Sequence, residues 1–77
     1  MTQGEWKTEF GDNLASLLRE KGFSQNQLAK DSGVSIGMIS DYVNKFAAPN
    51  IFAVINMAYS LDVDIDDLVD FGEMIDK

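Results

Sequence analysis

The sequence of 77 residues contains no cysteine and no histidine, and it has six Lys or Arg residues against thirteen Asp or Glu residues. Without cysteine, neither a disulfide nor a thiolate zinc site can form. Without histidine, the chain lacks the commonest general base and the commonest metal ligand. No glycine-rich phosphate-binding loop is present either. We therefore expect a protein that is not an enzyme and that binds no cofactor and no metal.

Long hydrophobic runs are also missing. No apolar stretch approaches the ~18 residues of a transmembrane helix. The N-terminal sequence MTQGEWKTEF lacks the apolar core of a signal peptide. The apolar fraction of 45% is ordinary for a folded chain. These features predict one small domain over residues 1–77, soluble and cytoplasmic, without a membrane partner.

The net charge of −7 is unevenly distributed. Residues 51–77 hold seven of the thirteen acidic residues and one of the six cations. Residues 24–50 are balanced, with two cations and two carboxylates. The acidic end of the chain is therefore separate in sequence from the stretch that carries the clearest motif.

That motif is a pair of short helices over residues 24–44, which read SQNQLAKDSGVSIGMISDYVN. Ser24 is a good N-cap for the first helix, and Gln27 completes a capping box. Gly33 stands where the first helix must end in a left-handed residue. Ser35 caps the second helix, and Ile39 holds the second helix against the first. The arrangement predicts a helix-turn-helix.

Helical periodicity predicts further helices on both sides of this pair. A first helix is expected over about residues 8–21, and another begins after the N-cap Asn50. Asp64 is expected to cap a last helix, with Ile65, Leu68 and Val69 in the core. Residues 1–7 are predicted to be a loose arm held by Trp6. Residues 72–77 are predicted to be a flexible tail, so that the globular part covers about residues 8–71. The alternative is that Phe71, Met74 and Ile75 extend the last helix.

At this point a resemblance becomes specific. The segment SQNQLAKDSGVSIGMIS, followed by Asn44, Pro49 and AYSLDVDIDDL, resembles the Xre family of lambda-repressor-like (Cro/repressor-type) DNA-binding domains of phage and bacterial regulators. The similarity covers roughly residues 10–68. It implies an all-α fold of five helices with the helix-turn-helix at helices two and three. It also implies a sequence-specific transcriptional regulator, of phage or mobile-element repressor type, that binds a palindromic operator as a homodimer.

The resemblance also assigns roles to individual residues. It places the second helix of the pair in the major groove of double-stranded DNA, with its cap at Ser35. It places Gln25 near phosphate or behind a reading side chain. The residues that it directs toward base edges are Ile36, Gly37, Ser40 and Asp41, and those that it places near the DNA backbone are Asn44 and Lys45.

Two departures from the family pattern leave a second function open. Ile36 and Gly37 stand where many members have Arg, Gln or Lys, and the usually basic loop after the helix reads Phe46-Ala47-Ala48. The alternative is a protein–protein interaction module, such as an antirepressor or an adaptor. Such a module would keep the helix-turn-helix fold and lack strong DNA binding.

Apolar residues at positions that are usually polar indicate a possible dimer or partner surface. These are Phe46, Phe52 and Tyr59, with Met38 as a possible addition. Phe52 and Tyr59 are seven residues apart and so share one helix face. Either these side chains are buried against the arm around Trp6, or they form a surface for a second copy or a protein partner.

The acidic run DVDIDDLVDFGE has carboxylates at several positions of an EF-hand calcium loop. The glycine that this loop requires at its sixth position is Asp67 in this chain. Aspartates also favour helix N-termini on their own account. We therefore expect a capped helix at this place and no calcium site.

Overall fold

Residues 3–69 are described in a computed structural model of the chain. Over that range the chain forms four α-helices and one short 3-10 turn, with no strand. The helices are α1 (Gln3–Lys21), α2 (Gln25–Ser32), α3 (Ile36–Val43) and α4 (Ile51–Leu61), and the 3-10 turn is Ile65–Asp67. The predicted all-α fold with a helix-turn-helix at the second and third helices is confirmed.

The first helix starts earlier than predicted. Residues 3–7, which were expected to form a loose arm, are the first turns of α1. Trp6 packs against the core, and its ring stacks on that of Phe10 with centroids 6.3 Å apart. Since residues four apart share a helix face, this contact continues the apolar stripe of α1 by one turn. Met1 and Thr2 lie outside the described residues.

The two short helices of the motif begin and end at the predicted residues. Ser24 Oγ accepts a hydrogen bond from the backbone N–H of Gln27 at 3.0 Å, and α2 begins at the next residue. Gly33 ends α2 in the left-handed conformation, with φ 78°. Ser35 Oγ accepts from the N–H of Met38 at 3.2 Å and caps α3. Each side-chain cap satisfies a donor that the first helical turn leaves without a partner.

One apolar core joins all five elements. α1 packs against α3 while α2 packs against both α3 and α4, and the rings of Phe10 and Tyr42 meet edge to face at 5.7 Å. Asn13 Nδ2 donates to the carbonyl of Leu68 at 2.9 Å and so links α1 to the end of the described chain. The largest fully buried side chains are Phe10, Leu14, Leu28, Ile39, Tyr42, Val54, Met57, Leu61, Leu68 and Val69.

The crossing of α1 over the end of α3 depends on Gly11. A Cβ atom at this position would lie 2.5 Å from the carbonyl oxygen of Tyr42 and 3.0 Å from Cγ of Lys45. Backbone cannot move aside as a flexible side chain can, so any larger residue must push α3 away. Gly11 therefore sets how closely α1 approaches the C-terminal end of α3.

We predict that Gly11→Ala destabilises the protein by about 1–3 kcal/mol, the usual cost of overpacking a close contact. The melting temperature should fall by roughly 5–20 °C in a domain of this size. Gly37→Ala is the matched control, because a Cβ at that helical position has no neighbour within 4 Å. That variant should gain about 0.5–1 kcal/mol from helix propensity. Thermal unfolding followed by circular dichroism measures both, and equal melting temperatures for the two variants would contradict the close contact.

The last predicted helix differs from its prediction. Its start is confirmed, since the backbone N–H of Asp64 donates to Asp67 Oδ2 at 3.1 Å. Within residues 3–69, however, the element is one 3-10 turn, so the described part of the chain has four α-helices instead of five. The predicted tail lies outside the described residues, as do Phe71, Met74 and Ile75, the residues that could extend this helix.

Two further findings concern the described residues alone. They contain no group of three or more Asp or Glu side chains placed to hold a metal ion. Asp70 and Glu73, which complete the calcium-loop spacing, lie outside them. Among the same residues, no helix has the length and apolar character needed to cross a membrane.

Candidate nucleic-acid interface

The N-terminal half of α3 presents small and apolar groups to solvent. Ile36 is 43% exposed, Met38 is 42% exposed, and Gly37 is open to solvent. The opposite side of α3 is buried through Ile39 and Tyr42. The two Ser caps and Gly33 thus hold α3 with one face in the core and the other face free. This free face carries Ile36, Gly37 and Ser40, three of the residues that the resemblance directs toward base edges.

Ser40 and Asn44 are joined by hydrogen bonds at the end of this free face. Asn44 Nδ2 donates to the carbonyl of Ser40 at 2.9 Å and to Ser40 Oγ at 3.3 Å. The backbone N–H of Asn44 donates to the same carbonyl at 2.9 Å. A carbonyl oxygen only accepts, so these contacts fix the amide nitrogen of Asn44 toward Ser40. Asn44 therefore holds the Ser40 side chain and is not free to reach far from α3.

Asp41 is the one charged residue of α3, and its side chain is half-buried. Burial raises the pKa of the Tyr42 phenol, and the negative charge of Asp41 raises it further. Tyr42 therefore stays neutral in the core next to the predicted DNA-reading face.

This shift in the pKa of Tyr42 predicts how stability depends on pH. Because the folded-state pKa lies above the ordinary value of 10.0, the stabilisation is complete below pH 10.0 and is lost as pH rises through the folded-state pKa. Tyr42→Phe should remove that component of the alkaline loss, whereas Tyr59→Phe, at an exposed residue, should not. Urea unfolding at about pH 8 and about pH 11 measures the difference. Parallel losses in both variants would contradict the assignment.

Lys45 follows α3 and is held by α1. Its Nζ lies 2.8 Å from Asp12 Oδ1, and both side chains are partly exposed. Its backbone has φ 66°, a left-handed conformation that costs a side-chain-bearing residue more than glycine. The cation predicted to contact phosphate is therefore present at the expected end of α3, but a carboxylate already neutralises it.

Gln25 is the first residue of α2 and is half-buried. Within residues 3–69 the hydrogen bonds of the Ser35, Ser40 and Asn44 side chains do not involve the side chain of Gln25. The structure brings together the other predicted residues along α3 and its ends, namely Ser35, Ile36, Gly37, Ser40, Asp41, Asn44 and Lys45.

A second exposed surface lies on α4 and after α3. The predicted aromatic residues are all exposed, at 75% for Phe46, 74% for Phe52 and 88% for Tyr59. Burial of these rings against Trp6 is therefore wrong. Ile51 and Ile55, which share the exposed side of α4 with Phe52 and Tyr59, are about half exposed. We call Ile51, Phe52, Ile55 and Tyr59 the α4 apolar face.

The fold and the exposed face of α3 define the class of helix-turn-helix domains found in DNA-binding regulators. The family model described as HTH_3, helix-turn-helix, matches residues 14–68. The chain belongs to this family. None of the curated proteins that were compared matches it.

A solved structure gives an independent comparison of the fold. The structure titled "Crystal Structure of HTH_3 family Transcriptional Regulator from Vibrio cholerae" superposes with a TM-score of 0.84 at 22% sequence identity. The match covers 87% of this chain and 38% of the Vibrio cholerae chain. The chain thus spans about two fifths of the length of that regulator, and the likeness establishes the fold.

Three features of the site were missed from the sequence. Asp12 and Gly11 come from α1, more than thirty residues before Lys45, and no local pattern links them. The hydrogen bonds from Asn44 to Ser40 could have been predicted from the sequence, because residues four apart are neighbours on a helix. The same spacing joins Ile51, Ile55 and Tyr59 and places these three side chains on one side of α4.

Proposed function

We propose that this protein is a sequence-specific DNA-binding transcriptional regulator of the phage or mobile-element repressor type. Membership of the helix-turn-helix family supports the coarser function of a DNA-binding regulator. The observation that carries the finer proposal is the free face of α3, which is capped at Ser35, exposed at Ile36 and Gly37, and half-buried at Ser40. A helix of this kind enters the major groove with its N-terminal residues at the base edges.

The side chains on this face favour a particular chemistry of recognition. Ile36 contacts the thymine methyl group, since an apolar side chain has no other specific partner on a base edge. Ser40 forms a hydrogen bond to a base. Asp41 accepts from an adenine or cytosine amine and repels phosphate. Lys45 contacts a phosphate after it leaves Asp12, and Gln25 lies at the start of α2 for a second backbone contact. Arg and Lys, the usual readers of guanine, are absent from α3.

The protein acts as a homodimer on a palindromic operator. Support comes from α4, which has no charged residue along its eleven positions yet exposes Phe52 and Tyr59. Its polar residues are Asn56 and Ser60, and clustered exposed apolar side chains of this size mark an interaction surface. Packing the α4 apolar face on its copy about a two-fold axis covers both faces. When the two copies of α4 run antiparallel, the acidic residues that follow each helix lie at opposite ends of the contact.

Selection from a random duplex library at low salt tests this function. We expect enrichment of a palindrome whose half-sites are separated by about one helical turn, as for other dimeric helix-turn-helix proteins. The affinity for the selected duplex should then fall steeply between two salt concentrations, because phosphate contacts release counterions. Failure to enrich any sequence with folded protein would refute the proposal.

A protein-interaction module is the second candidate function. It is favoured by the net charge of −7 and by the pairing of Lys45 with Asp12, which both oppose DNA binding. The α4 apolar face, together with Phe46, would then bind a protein partner. Binding through such a surface should change little with salt, whereas DNA binding should weaken steeply as salt rises.

A further inference from the structure

The hydrogen bonds around Ser40 restrict which base edge it can read. Asn44 Nδ2 donates to Ser40 Oγ at 3.3 Å and to the Ser40 carbonyl at 2.9 Å. A serine hydroxyl has one proton to donate and two lone pairs to accept. One lone pair is therefore occupied by the Asn44 amide. Within residues 3–69 the hydroxyl proton is donated to no protein atom.

We infer that Asn44 is a positioning residue that makes Ser40 a hydrogen-bond donor toward DNA. The inference rests on the proposed function and identifies the chemical class of the base edge. A donor needs an acceptor, and the major groove offers purine N7, guanine O6 and thymine O4. Cytosine offers only its amino group, which is itself a donor. Donation of the Ser40 proton therefore selects a purine or thymine over cytosine at the base that Ser40 faces.

The orientation of the Asn44 amide follows from the atoms that surround it. The Ser40 carbonyl accepts both the backbone N–H and the side-chain nitrogen of Asn44, each at 2.9 Å. Turning the amide over would place two oxygen atoms together without a proton between them. The donor end therefore faces Ser40 in any satisfied arrangement.

The experiment uses the wild-type protein and its selected operator with single base analogues that lack one major-groove acceptor. These are 7-deazapurines for N7, 2-aminopurine for O6 and 5-methyl-2-pyrimidinone for O4. We expect one position in each half-site where the loss of the acceptor weakens binding about three- to tenfold, the value of one hydrogen bond. Ser40→Ala should bind less tightly and should no longer respond at that position. Ser16→Ala, at an exposed serine of α1, should respond as the wild type does.

Asn44→Asp tests the positioning role through the preferred base edge, a readout that a merely structural role would not change. A carboxylate at this position has no proton for the Ser40 carbonyl, so it turns away from that oxygen and accepts the proton of Ser40 Oγ instead. Ser40 then offers only lone pairs to DNA. We expect the preferred base edge at that position to change from an acceptor to the amine of adenine or cytosine. The added negative charge should weaken binding to all sequences alike, as in the charge control Lys21→Gln.

The outcomes separate the two proposals. If the wild type enriches no sequence, the proposed function fails and this inference fails with it. If the wild type enriches a sequence but no acceptor deletion depends on Ser40, this inference alone is wrong. An unchanged base preference in folded Asn44→Asp would likewise remove Asn44 from the positioning role.

Discussion

Phe52→Asp is expected to convert the protein into a monomer and to weaken operator binding by about a hundredfold or more. Phe52 is 74% exposed near the start of α4, at the edge of the α4 apolar face. A carboxylate there must lose its hydration when two copies pack together, which costs far more than the contact returns. Two linked half-sites bind more tightly than one by about 10²–10⁴, and a monomer loses that gain.

Sedimentation and duplex binding measure the two parts of this prediction. Lys21→Gln is the charge-matched control, because it changes the net charge by the same amount at an exposed residue at the end of α1. That control should remain a dimer and should bind only slightly less tightly. Tyr59→Asp should behave like Phe52→Asp, since both belong to the same face. A dimeric Phe52→Asp protein would show that another surface makes the dimer.

Lys45→Ala is expected to weaken binding to every duplex by about three- to tenfold at low salt, with a decrease of about one unit in the salt slope. A phosphate contact carries no sequence information, so the order of preferred sequences should stay the same. Lys21→Ala removes an equal charge at the C-terminal end of α1 and should leave the salt slope unchanged. An unchanged slope for Lys45→Ala would remove Lys45 from the phosphate contacts.

Asp12→Asn is expected to act in the opposite direction. Asp12 holds Nζ of Lys45 at 2.8 Å, and phosphate must displace this carboxylate before it can contact the cation. Exposed ion pairs of this kind are worth about 0.2–1 kcal/mol, which corresponds to an affinity gain of up to about fivefold. In the Lys45→Ala background, Asp12→Asn should increase the affinity for DNA by a smaller factor, because the two residues are coupled. Equal gains in both backgrounds would mean that Asp12 acts only through its general charge.

The helix-turn-helix was predictable because its signals are local. Ser24, Gly33 and Ser35 act on their own backbone neighbours, and the structure places each cap as predicted. The resemblance over residues 10–68 agrees with the family match over residues 14–68. The order of candidate residues along α3 follows directly from these caps.

The errors arose where distant contacts decide the structure. Residues 3–7 have no apolar period of their own, yet Trp6 stacks on Phe10 and extends α1. The Asp64 cap could be predicted from the sequence. Because a 3-10 turn and an α-helix have similar caps, it did not show which of the two follows. Gly11 and Asp12 appear ordinary in the sequence because their partners lie at the end of α3. Exposure of the α4 apolar face could not be predicted from periodicity, since Ile51, Phe52 and Ile55 are as apolar as the residues on the buried side of α4.

The most direct test of DNA reading by α3 is a nitrogen-15 NMR titration of the folded protein with its selected duplex. We expect the largest shifts along Ile36–Val43, at Asn44 and Lys45, and at the start of α2. Shifts on α4 should be small, because the dimer already covers its apolar face. Large shifts on α4 with none on α3, or no saturable shift at all, would contradict the claim that α3 reads DNA.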